Sequence, residues 1–260
     1  MNDDFLSKVD KKKYQSEIKK IKRQKLYDHI IFYPLAHIVI FSLKFIFRYK
    51  IKNGKEIKEK YKKIVKENSP LLLCSNHLTL IDSLIIHMAL GSVSWYLFNF
   101  KHFNWNVPAI ENFTAGWFWR FMSYAGKCIH IDRYGTTEHH DMVIEKIRYL
   151  LKDGEICTIF PEGGRSRTSR VEIENTTYGI GKIIQGVEDC KVLCLYLRGE
   201  SQNTYSDYPK WGEKFYLDLE VINPESKNKG MRQVRDYSMQ VVTKLKEMED
   251  KYFSLINDKK

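Results

Sequence analysis

The sequence has few of the features that mark secreted or zinc-binding proteins. Its five cysteines are an odd number and include no Cys-x-x-Cys pair. Most of them fall in apolar, strand-like runs, which is typical of buried thiols in a reducing compartment. No small-residue cleavage site follows the first apolar segment, so we do not expect a signal peptide. These absences point to a chain that folds without disulfides.

Excess positive charge is absent from most of the chain. The formal net charge is +11, but residues 1–70 hold 19 Lys and Arg against 8 Asp and Glu, whereas residues 71–260 hold 24 of each. A nucleic-acid-binding protein would carry its positive charge beside its exposed aromatic residues, and here the aromatic part is neutral. The excess of basic residues in the N-terminal part, residues 1–70, instead predicts contact with an anionic surface at one end of the molecule.

The N-terminal part also lacks a clean membrane span. Residues 8–25 are rich in lysine, and an apolar segment follows from His29 to Phe47, interrupted by Pro34 and by polar side chains. The polar positions recur at helical spacing and form one stripe, which predicts a helix that lies in a membrane interface rather than crossing it. An amphipathic helix docked on the rest of the protein is the alternative.

Beyond residue 70, strand-like and helix-like segments alternate. This alternation predicts an α/β fold, with a largely parallel central sheet flanked by helices. Helices are predicted over residues 136–152, 176–187 and 231–252, and strands over residues 71–74, 95–100, 127–131, 156–160, 191–197 and 214–222.

One stretch combines an imidazole with a carboxylate. The apolar run 71–74 predicts a buried strand, and Thr79 with Asp82 predicts a capping box that opens a helix. Residues five apart do not share a helical face, but His77 precedes the cap, so the chain can fold back and bring its ring to Asp82. Such a carboxylate fixes the tautomer of an imidazole that acts as a general base. The alternative is that Asp82 only caps the helix.

A second stretch has the composition of a phosphate site. A β-rich run ends at Pro161 and is followed by Glu162, Gly163, Gly164 and Arg165. The backbone N–H groups of a glycine pair, together with an arginine fork, are suited to hold a phosphate. A basic solvated turn, or a basic patch that meets nucleic acid, would have the same composition.

In order and spacing, the two stretches resemble the glycerophospholipid acyltransferase family, whose members share an Asn-His-x-x-x-x-Asp block and a later Phe-Pro-Glu-Gly-x-Arg-Ser block. Residues 126–133, a glycine-led strand that ends in Ile-Asp-Arg, are similar to the family's middle block. The resemblance covers about residues 70–200 and looks closer to the lysophosphatidic acid branch than to the glycerol-3-phosphate branch. The chain departs from the family at Gly164, where threonine is usual, and at residues 191–196, which lack a proline.

The resemblance implies an acyltransferase fold and an O-acyltransferase activity. A fatty acyl group would pass from a thioester, carried by CoA or acyl carrier protein, to the hydroxyl of a lysophospholipid, with 1-acylglycerol-3-phosphate as the expected acceptor. No other cofactor and no metal is expected. His77, oriented by Asp82, would act as the base. Acylation of glycerol-3-phosphate or of another lyso-lipid is the alternative, as is a non-catalytic lipid-binding protein.

The resemblance also implies roles in substrate binding. Glu162 and Arg165 would position the acceptor, Arg165 through charge-assisted bonds to its phosphate. Arg133 is a further candidate for anion binding, and Lys101 is the nearby candidate for a phosphate-binding lysine of the family. We expect no metal site at residues 138–141, because adjacent positions on the first turn of a helix point in different directions.

Aromatic side chains crowd residues 101–119, where they form either core or the lining of a tunnel or membrane-facing lip for an acyl chain. The candidate lining residues are Trp105, Phe113, Trp117, Phe118 and Trp119. Taken together, the features predict two parts. Residues 1–70 form a basic helical segment that associates with a membrane, and residues 71–260 form a catalytic acyltransferase domain on its cytoplasmic side.

Overall fold

The structure, a computed structural model, describes residues 11–113 and 116–257, with the side chains of all of these except residues 112 and 113. Residues 1–10 of the predicted membrane segment, and the side chain of Phe113 in the predicted aromatic lining, lie outside the described part. The described helices are α1 (Lys11–Phe41), α2 (Gly54–Ile64), α3 (Asp82–Leu90), α4 (Val93–Phe98), α5 (Trp117–Tyr124), α6 (Thr137–Lys152), α7 (Gly179–Gln185) and α8 (Gly230–Asn257). The described strands are β1 (Lys50–Ile51), β2 (Leu71–Ser75), β3 (Trp105–Asn106), β4 (Cys157–Ile159), β5 (Lys191–Gly199) and β6 (Lys214–Ile222).

The strands form one sheet in the order β1-β6-β5-β2-β4-β3. β5 and β6 are antiparallel, and every other neighbouring pair is parallel. Helices pack on both faces, so the predicted α/β fold with a largely parallel central sheet is confirmed. Because β2, β3, β4 and β5 run in the same direction, the chain leaves all four at one end of the sheet, here called the carboxyl end.

Strand β5 shows how the sequence builds a core on each face of the sheet. Successive side chains of a strand point to opposite faces. Val192, Cys194 and Tyr196 belong to a buried cluster with α6, α7 and α8, whereas Leu193 and Leu195 belong to a second cluster with α2 and α3. A strand that is apolar on both faces fits the centre of a sheet covered by two helical layers.

The strand predicted at residues 95–100 is wrong, because helix α4 occupies Val93–Phe98. Its first turn is capped by Ser92, whose side chain accepts a hydrogen bond from the N–H of Trp95 at 3.1 Å. Serine at this position satisfies one of the free N–H groups of a helix start. The aromatic composition favours a strand, but here the cap and the end of α3 at Leu90 favour a short helix.

The strand predicted at residues 127–131 is only partly formed. It makes two isolated parallel bridges to residues 106–109 instead of a continuous ladder. The N–H of Ile129 donates to Asn106 O at 2.9 Å and that of Ile131 to Pro108 O at 3.0 Å. The intervening bond would require an N–H on Pro108, which proline lacks. The ladder is therefore interrupted at this residue.

Helix α1 is docked along one face and uncovered along the other. It continues beyond Phe41 into a π-helical turn at Ser42–Ile46. By length and composition alone this helix could cross a membrane, and 11% of its apolar window is buried. Its buried side chains are Ile18, Ile21, Gln24, Asp28 and Phe32, and its exposed large apolar ones are Leu26, Tyr27, Ile30, Tyr33, Ile38 and Phe41. The alternative of an amphipathic helix docked on the rest of the protein therefore holds for only one face of α1.

The boundary predicted at residue 70 stays a prediction. β1 pairs with β6 in parallel, although β1 lies before that boundary. Helix α2 places Ile57 and Tyr61 in the same buried cluster as β5 and β6. Residues on both sides of position 70 thus contribute to the sheet and its core.

A buried ion cluster lies at the opposite, amino end of the sheet. Lys127 Nζ contacts Glu155 Oε2 at 2.6 Å and also donates to the carbonyl oxygens of Phe100 and Phe103. Lys25 of α1 pairs with Glu155 Oε1 at 2.5 Å. Burial lowers the pKa of Lys127 to about 8, against the opposing effect of the Glu155 carboxylate. The cluster joins α1 to the start of β4.

Candidate active site

His77 and Asp82 meet at the carboxyl end of β2. His77 Nδ1 lies 3.0 Å from Asp82 Oδ2, in the turn between β2 and α3. A carboxylate only accepts hydrogen bonds, so Nδ1 carries the proton and Nε2 of the neutral ring keeps a lone pair. No hydrogen bond reaches Nε2 from the residues that the structure describes. The ring is therefore arranged to take up a proton.

The Asp82 carboxylate also builds the turn that holds it. It is fully buried, and its Oδ2 accepts from the N–H groups of Leu78 at 2.6 Å and Thr79 at 2.9 Å. The Thr79 hydroxyl donates to Oδ1 at 2.5 Å. The predicted capping box does not form, because the helix begins at Asp82 and its N-cap residue is Ile81; Asp82 instead closes the turn that precedes the helix. Asp82 thus orients the imidazole and also supports the backbone on either side of it.

The end of β2 is fixed by the residue before the histidine. Asn76 is buried, and its side chain bonds both the N–H and the carbonyl of Leu197 on β5, at 2.8 and 2.9 Å. These two bonds continue the β2–β5 pairing past Ser75. The position from which the His77 side chain projects is therefore tied to the centre of the sheet.

The second sequence block lies directly against the first. The ring of His77 stacks on Phe160, with ring centroids 4.0 Å apart and planes 15° from parallel. The backbone carbonyl of His77 accepts a hydrogen bond from the N–H of Ser166 at 2.9 Å. Because β2 and β4 are parallel neighbours, the segments that follow them meet at the carboxyl end. The two blocks, more than eighty residues apart in the chain, form one site.

Glu162 is half-buried and its carboxyl group lies near the backbone of His77. Within the described residues neither carboxyl oxygen has a hydrogen-bond partner. Burial raises the pKa of Glu162 to about 8, with the nearby His77 backbone opposing the shift and the Glu172 carboxylate adding to it. A carboxylic acid that stays protonated near neutral pH can donate a hydrogen bond as well as accept one.

The glycine pair shapes the turn after Glu162. Gly163 has φ +65°, in the left-handed region that glycine adopts without strain, and its N–H donates to Phe160 O at 3.0 Å. A Cβ added at this residue would lie 2.8 Å from Thr177, whereas one at Gly164 would meet no atom within 4 Å. The turn therefore requires glycine at position 163 and leaves open space beside position 164.

Arg165 lies at the same end of the sheet and is largely covered. Its guanidinium pairs with Asp207 and lies over the ring of Tyr205, 5.0 Å from the centroid. Asp207 belongs to the β5–β6 connection, which also contacts the His77 turn, since the N–H of Leu80 donates to Asp207 O at 3.0 Å. Arg165 is thus near the imidazole and is paired with a carboxylate of the chain itself.

The structure separates the two remaining candidate residues. Arg133 is exposed in the turn before α6, two residues after the bridge of Ile131 to Ala109, and so lies at the carboxyl end. Lys101 Nζ instead donates to Asp153 O at 3.3 Å, before β4 begins. Arg133 therefore lies at the same end of the sheet as His77, whereas Lys101 lies at the amino end, away from it.

The histidines of residues 138–141 contact the backbone of Asp132. Its N–H donates to His139 Nε2 at 3.0 Å, and its carbonyl accepts from His140 Nε2 at 2.7 Å. Both imidazoles thus hold the turn that carries Arg133. In the described residues no cluster of histidine, cysteine and carboxylate side chains is suited to a metal ion.

The aromatic residues of the 101–119 stretch divide between core and surface. Trp105 is fully buried and donates its Nε1–H to Glu155 Oε2 at 2.9 Å, which confirms the core alternative for this residue. Trp117 is 80% exposed, and Phe118 and Trp119 are about half exposed on α5. The α5 aromatics are therefore neither core nor the lining of an enclosed tunnel.

An apolar groove runs between α1, α3, α4 and α5. Its cavity volume is about 100 Å³, which is less than the range of about 300–1,000 Å³ for small-molecule sites. One wall is formed by α3, which begins at Asp82. Its lining includes Leu35 and Val39 of α1, Leu84 of α3 and Met122 of α5.

Several contributors to the site do not follow from the sequence blocks alone. Asn76 and Phe160 are the first residues of the two blocks, but the sequence predicted no role for either side chain. Tyr205 and Asp207 lie in a polar loop about forty residues beyond Arg165, and no spacing or composition indicates them. They reach the site because the loop that joins β5 to β6 lies at the carboxyl end of the sheet.

An imidazole bonded to a buried carboxylate, with no hydrogen bond to Nε2 from the described residues, is an arrangement suited to a general base that activates a hydroxyl or water. The family model described as Acyltransferase matches residues 56–198, more than half of the chain. The chain therefore belongs to this acyltransferase family, and membership supports acyl transfer in lipid biosynthesis. A search of curated proteins found no match.

Proposed function

We propose that the protein acylates a lysophospholipid, with 1-acylglycerol-3-phosphate as the acceptor, a CoA or acyl carrier protein thioester as the donor, and phosphatidic acid as the product. The observation that carries the proposal is the His77–Asp82 pair, with Nε2 free beside an arginine-bearing turn. An alcohol is a poor nucleophile at neutral pH, whereas a thioester is already activated. A positioned base is therefore the group that the reaction needs from the protein.

The proposed reaction uses one proton relay. The acceptor oxygen attacks the thioester carbonyl while its proton passes to His77 Nε2, and the charged imidazolium is stabilised by Asp82. The tetrahedral intermediate then collapses, the C–S bond breaks, and the leaving thiolate takes the proton back from His77. An ester and a free thiol result, and the imidazole returns to its starting state. No electron acceptor and no further cofactor enters the balance.

The proposed acceptor site is the turn after β4. Arg165 would bind the acceptor phosphate by charge-assisted hydrogen bonds. The open space beside Gly164 leaves room for the headgroup, and the protonated Glu162 would donate a hydrogen bond to it. Arg133 would add positive charge at the rim. We leave Lys101 out of the proposed site, because it is bonded at the other end of the sheet.

The apolar groove offers a place for an acyl chain. Its α3 wall starts at Asp82, so a chain lying in the groove would have its carbonyl end near the base. Both rims carry exposed apolar side chains, from α1 on one side and from α5 on the other. Exposed apolar patches of this kind mark lipid or protein contacts, and tryptophan is enriched at membrane interfaces. We propose that both rims meet the cytoplasmic face of a bilayer.

Offering purified protein a panel of acceptors tests the proposal. The panel contains 1-acylglycerol-3-phosphate, glycerol-3-phosphate and lysophosphatidylcholine, each with acyl-CoA or acyl carrier protein, and the lipids are identified by mass spectrometry. We expect phosphatidic acid from the first acceptor. Acylation of another acceptor alone would replace the substrate assignment. No product from any pair, with lipid still bound, would favour a non-catalytic lipid-binding protein.

A further inference from the structure

The connection between β5 and β6 covers one side of the candidate site. β5 ends at Gly199 at the carboxyl end, so the loop that follows begins beside the His77 turn. Within this loop, Asp207 accepts a backbone hydrogen bond from Leu80, three residues from His77. The loop therefore touches the segment that carries the base.

The tip of this loop places an anion on Arg165. The Asp207 carboxylate forms an ion pair with Nη1 of Arg165 and accepts a hydrogen bond from the Tyr205 hydroxyl at 3.0 Å. The Tyr205 ring also lies under Arg167, 4.4 Å from its guanidinium carbon. The hydrogen bond from Arg165 is the main cause of a lowered pKa for Asp207, so the carboxyl is charged at neutral pH.

The ends of the loop are anchored, which confines any movement to its tip. At the β6 side, Trp211 Nε1 donates to Ile46 O at 2.7 Å, and the N–H of Gly212 donates to Phe47 O at 2.8 Å. At the β5 side, the N–H of Gly199 donates to the Gln202 side chain at 2.6 Å. The Asp207 side chain is 55% exposed. It can leave Arg165 without disturbing the strands.

We infer that Asp207 is a resident anion on Arg165 that the phosphate of the acceptor displaces, and that it thereby sets which acceptors this arginine binds. The inference rests on the proposed role of Arg165 as the phosphate site. A phosphate monoester carries up to two charges and three acceptor oxygens, so it competes with a carboxylate for an arginine fork. A neutral headgroup cannot displace the Asp207 carboxylate from Arg165. A negative charge placed beside Asp207 without displacing it is repelled, which disfavours binding. Asp207 is thus a specificity-determining residue for an anionic acceptor.

A double-mutant cycle on phosphate binding tests this inference without any acyl donor. Glycerol-3-phosphate is titrated into the full-length protein, into Asp207→Asn, into Arg165→Ala and into the double variant. Because Asp207 is exposed, its ion pair with Arg165 is weak, and Asp207→Asn should lower the dissociation constant about two- to fivefold. In the Arg165→Ala background the same change should have no effect. Tyr205→Phe, which removes one hydrogen bond to Asp207, should have an intermediate effect.

The matched control is Glu200→Gln, which removes one negative charge and the contact with Lys52 at the base of the same loop. It should leave phosphate binding unchanged, and thermal unfolding of every variant checks the fold. Weaker phosphate binding in Asp207→Asn would overturn the inference, because Asp207 would then orient Arg165 for the ligand. An equal gain in phosphate affinity with and without Arg165 would also overturn the inference, because the gain would then be a general charge effect. An absence of phosphate binding in every one of these proteins would overturn it as well.

The acceptor panel separates this inference from the proposed function. If no acceptor is acylated but the cycle shows coupling between Asp207 and Arg165, the proposed reaction fails and the displaced-anion inference stands. If phosphatidic acid forms but Asp207→Asn changes neither phosphate binding nor the acceptor KM, the inference alone fails.

Discussion

Asp82→Asn changes charge at the centre of the candidate site while keeping the shape of the side chain. In the protein, Oδ2 contacts His77 Nδ1 and accepts two backbone N–H groups, and Oδ1 accepts the Thr79 hydroxyl. An asparagine can place its amide oxygen at the Oδ2 position and its NH2 toward Thr79, whose hydroxyl rotates to accept. The turn can therefore form, but the negative charge that stabilises an imidazolium is lost.

The expected magnitudes differ for stability and for turnover. Hydrogen bonds to a charged group contribute about 1.5–3 kcal/mol and neutral ones about 0.5–1.5 kcal/mol, while removing a buried charge relieves its desolvation. We expect a loss of about 1–2 kcal/mol in the free energy of unfolding, or a few degrees in Tm. A base without its orienting carboxylate loses most of its effect, so kcat should fall by about 10²- to 10⁴-fold.

Release of free thiol from acyl-CoA measures the turnover, with thermal unfolding measured on the same samples. Thr79→Val is the matched control, because it removes a hydrogen bond to Oδ1 at the far side of the carboxylate and leaves the charge and His77 untouched. It should lower stability as much as Asp82→Asn and lower kcat less than about tenfold. A kcat for Asp82→Asn close to that of Thr79→Val would refute the reasoning and leave Asp82 as a turn residue.

Three other changes have expected outcomes. Glu155→Gln leaves Lys127 buried without its counter-charge, so denaturant unfolding should show a loss of about 3–5 kcal/mol, with turnover at the opposite end of the sheet retained in the folded protein. The pKa of Glu162 is raised to about 8 in the folded state, so the folded protein keeps a proton that the unfolded chain loses, and stability falls as pH rises from about 4.5 to about 8. Glu162→Gln should remove this loss. Thermal melts should then show a gain in stability over wild type that grows with pH. Replacing the exposed Ile38 and Phe41 by serine should weaken sedimentation with neutral liposomes by about tenfold or more per residue, since each buried apolar side chain contributes roughly 1.5–3 kcal/mol. Unchanged unfolding of Glu155→Gln would contradict the first expectation, and a stability difference between Glu162→Gln and wild type that does not vary with pH would contradict the second. Unchanged sedimentation of the serine variants would contradict the third.

The liposome test uses point variants because α1 is part of the core. Ile18 and Ile21 pack in the cluster with α6 and α8, and Phe32 packs against Tyr96 and Phe100. Removing residues 1–50 would expose these surfaces and would confuse loss of folding with loss of membrane contact. Substitutions on the uncovered face change only the side chains that would meet lipid.

The pairing of His77 with Asp82 could be predicted because every contact that forms it is local. The carboxylate binds groups within five residues of itself, so the spacing of the block already contains the turn. The alternation of strands and helices likewise predicted the parallel sheet, since a buried strand and an amphipathic helix have different hydrophobic periods. Both features depend on short stretches of the chain.

Features that depend on distant parts of the chain could not be predicted in this way. Lys127 and Glu155 have the side chains of surface residues, and only the fold shows that they are buried together. Arg165 and Asp207 are joined by the return of β5 and β6 to the carboxyl end. The helix at Val93–Phe98 was missed because one serine cap outweighed a strand-like composition.

The most direct test of the central claim is the rate of phosphatidic acid formation from 1-acylglycerol-3-phosphate and an acyl thioester, measured by mass spectrometry for the wild type and for His77→Ala. The imidazole is partly exposed and stacks on Phe160 alone among the aromatic rings of the described residues, so the variant should stay folded. We predict product from the wild type and a loss of at least about 10²-fold in the variant. Equal rates in the two proteins, with matching thermal unfolding, would contradict the account.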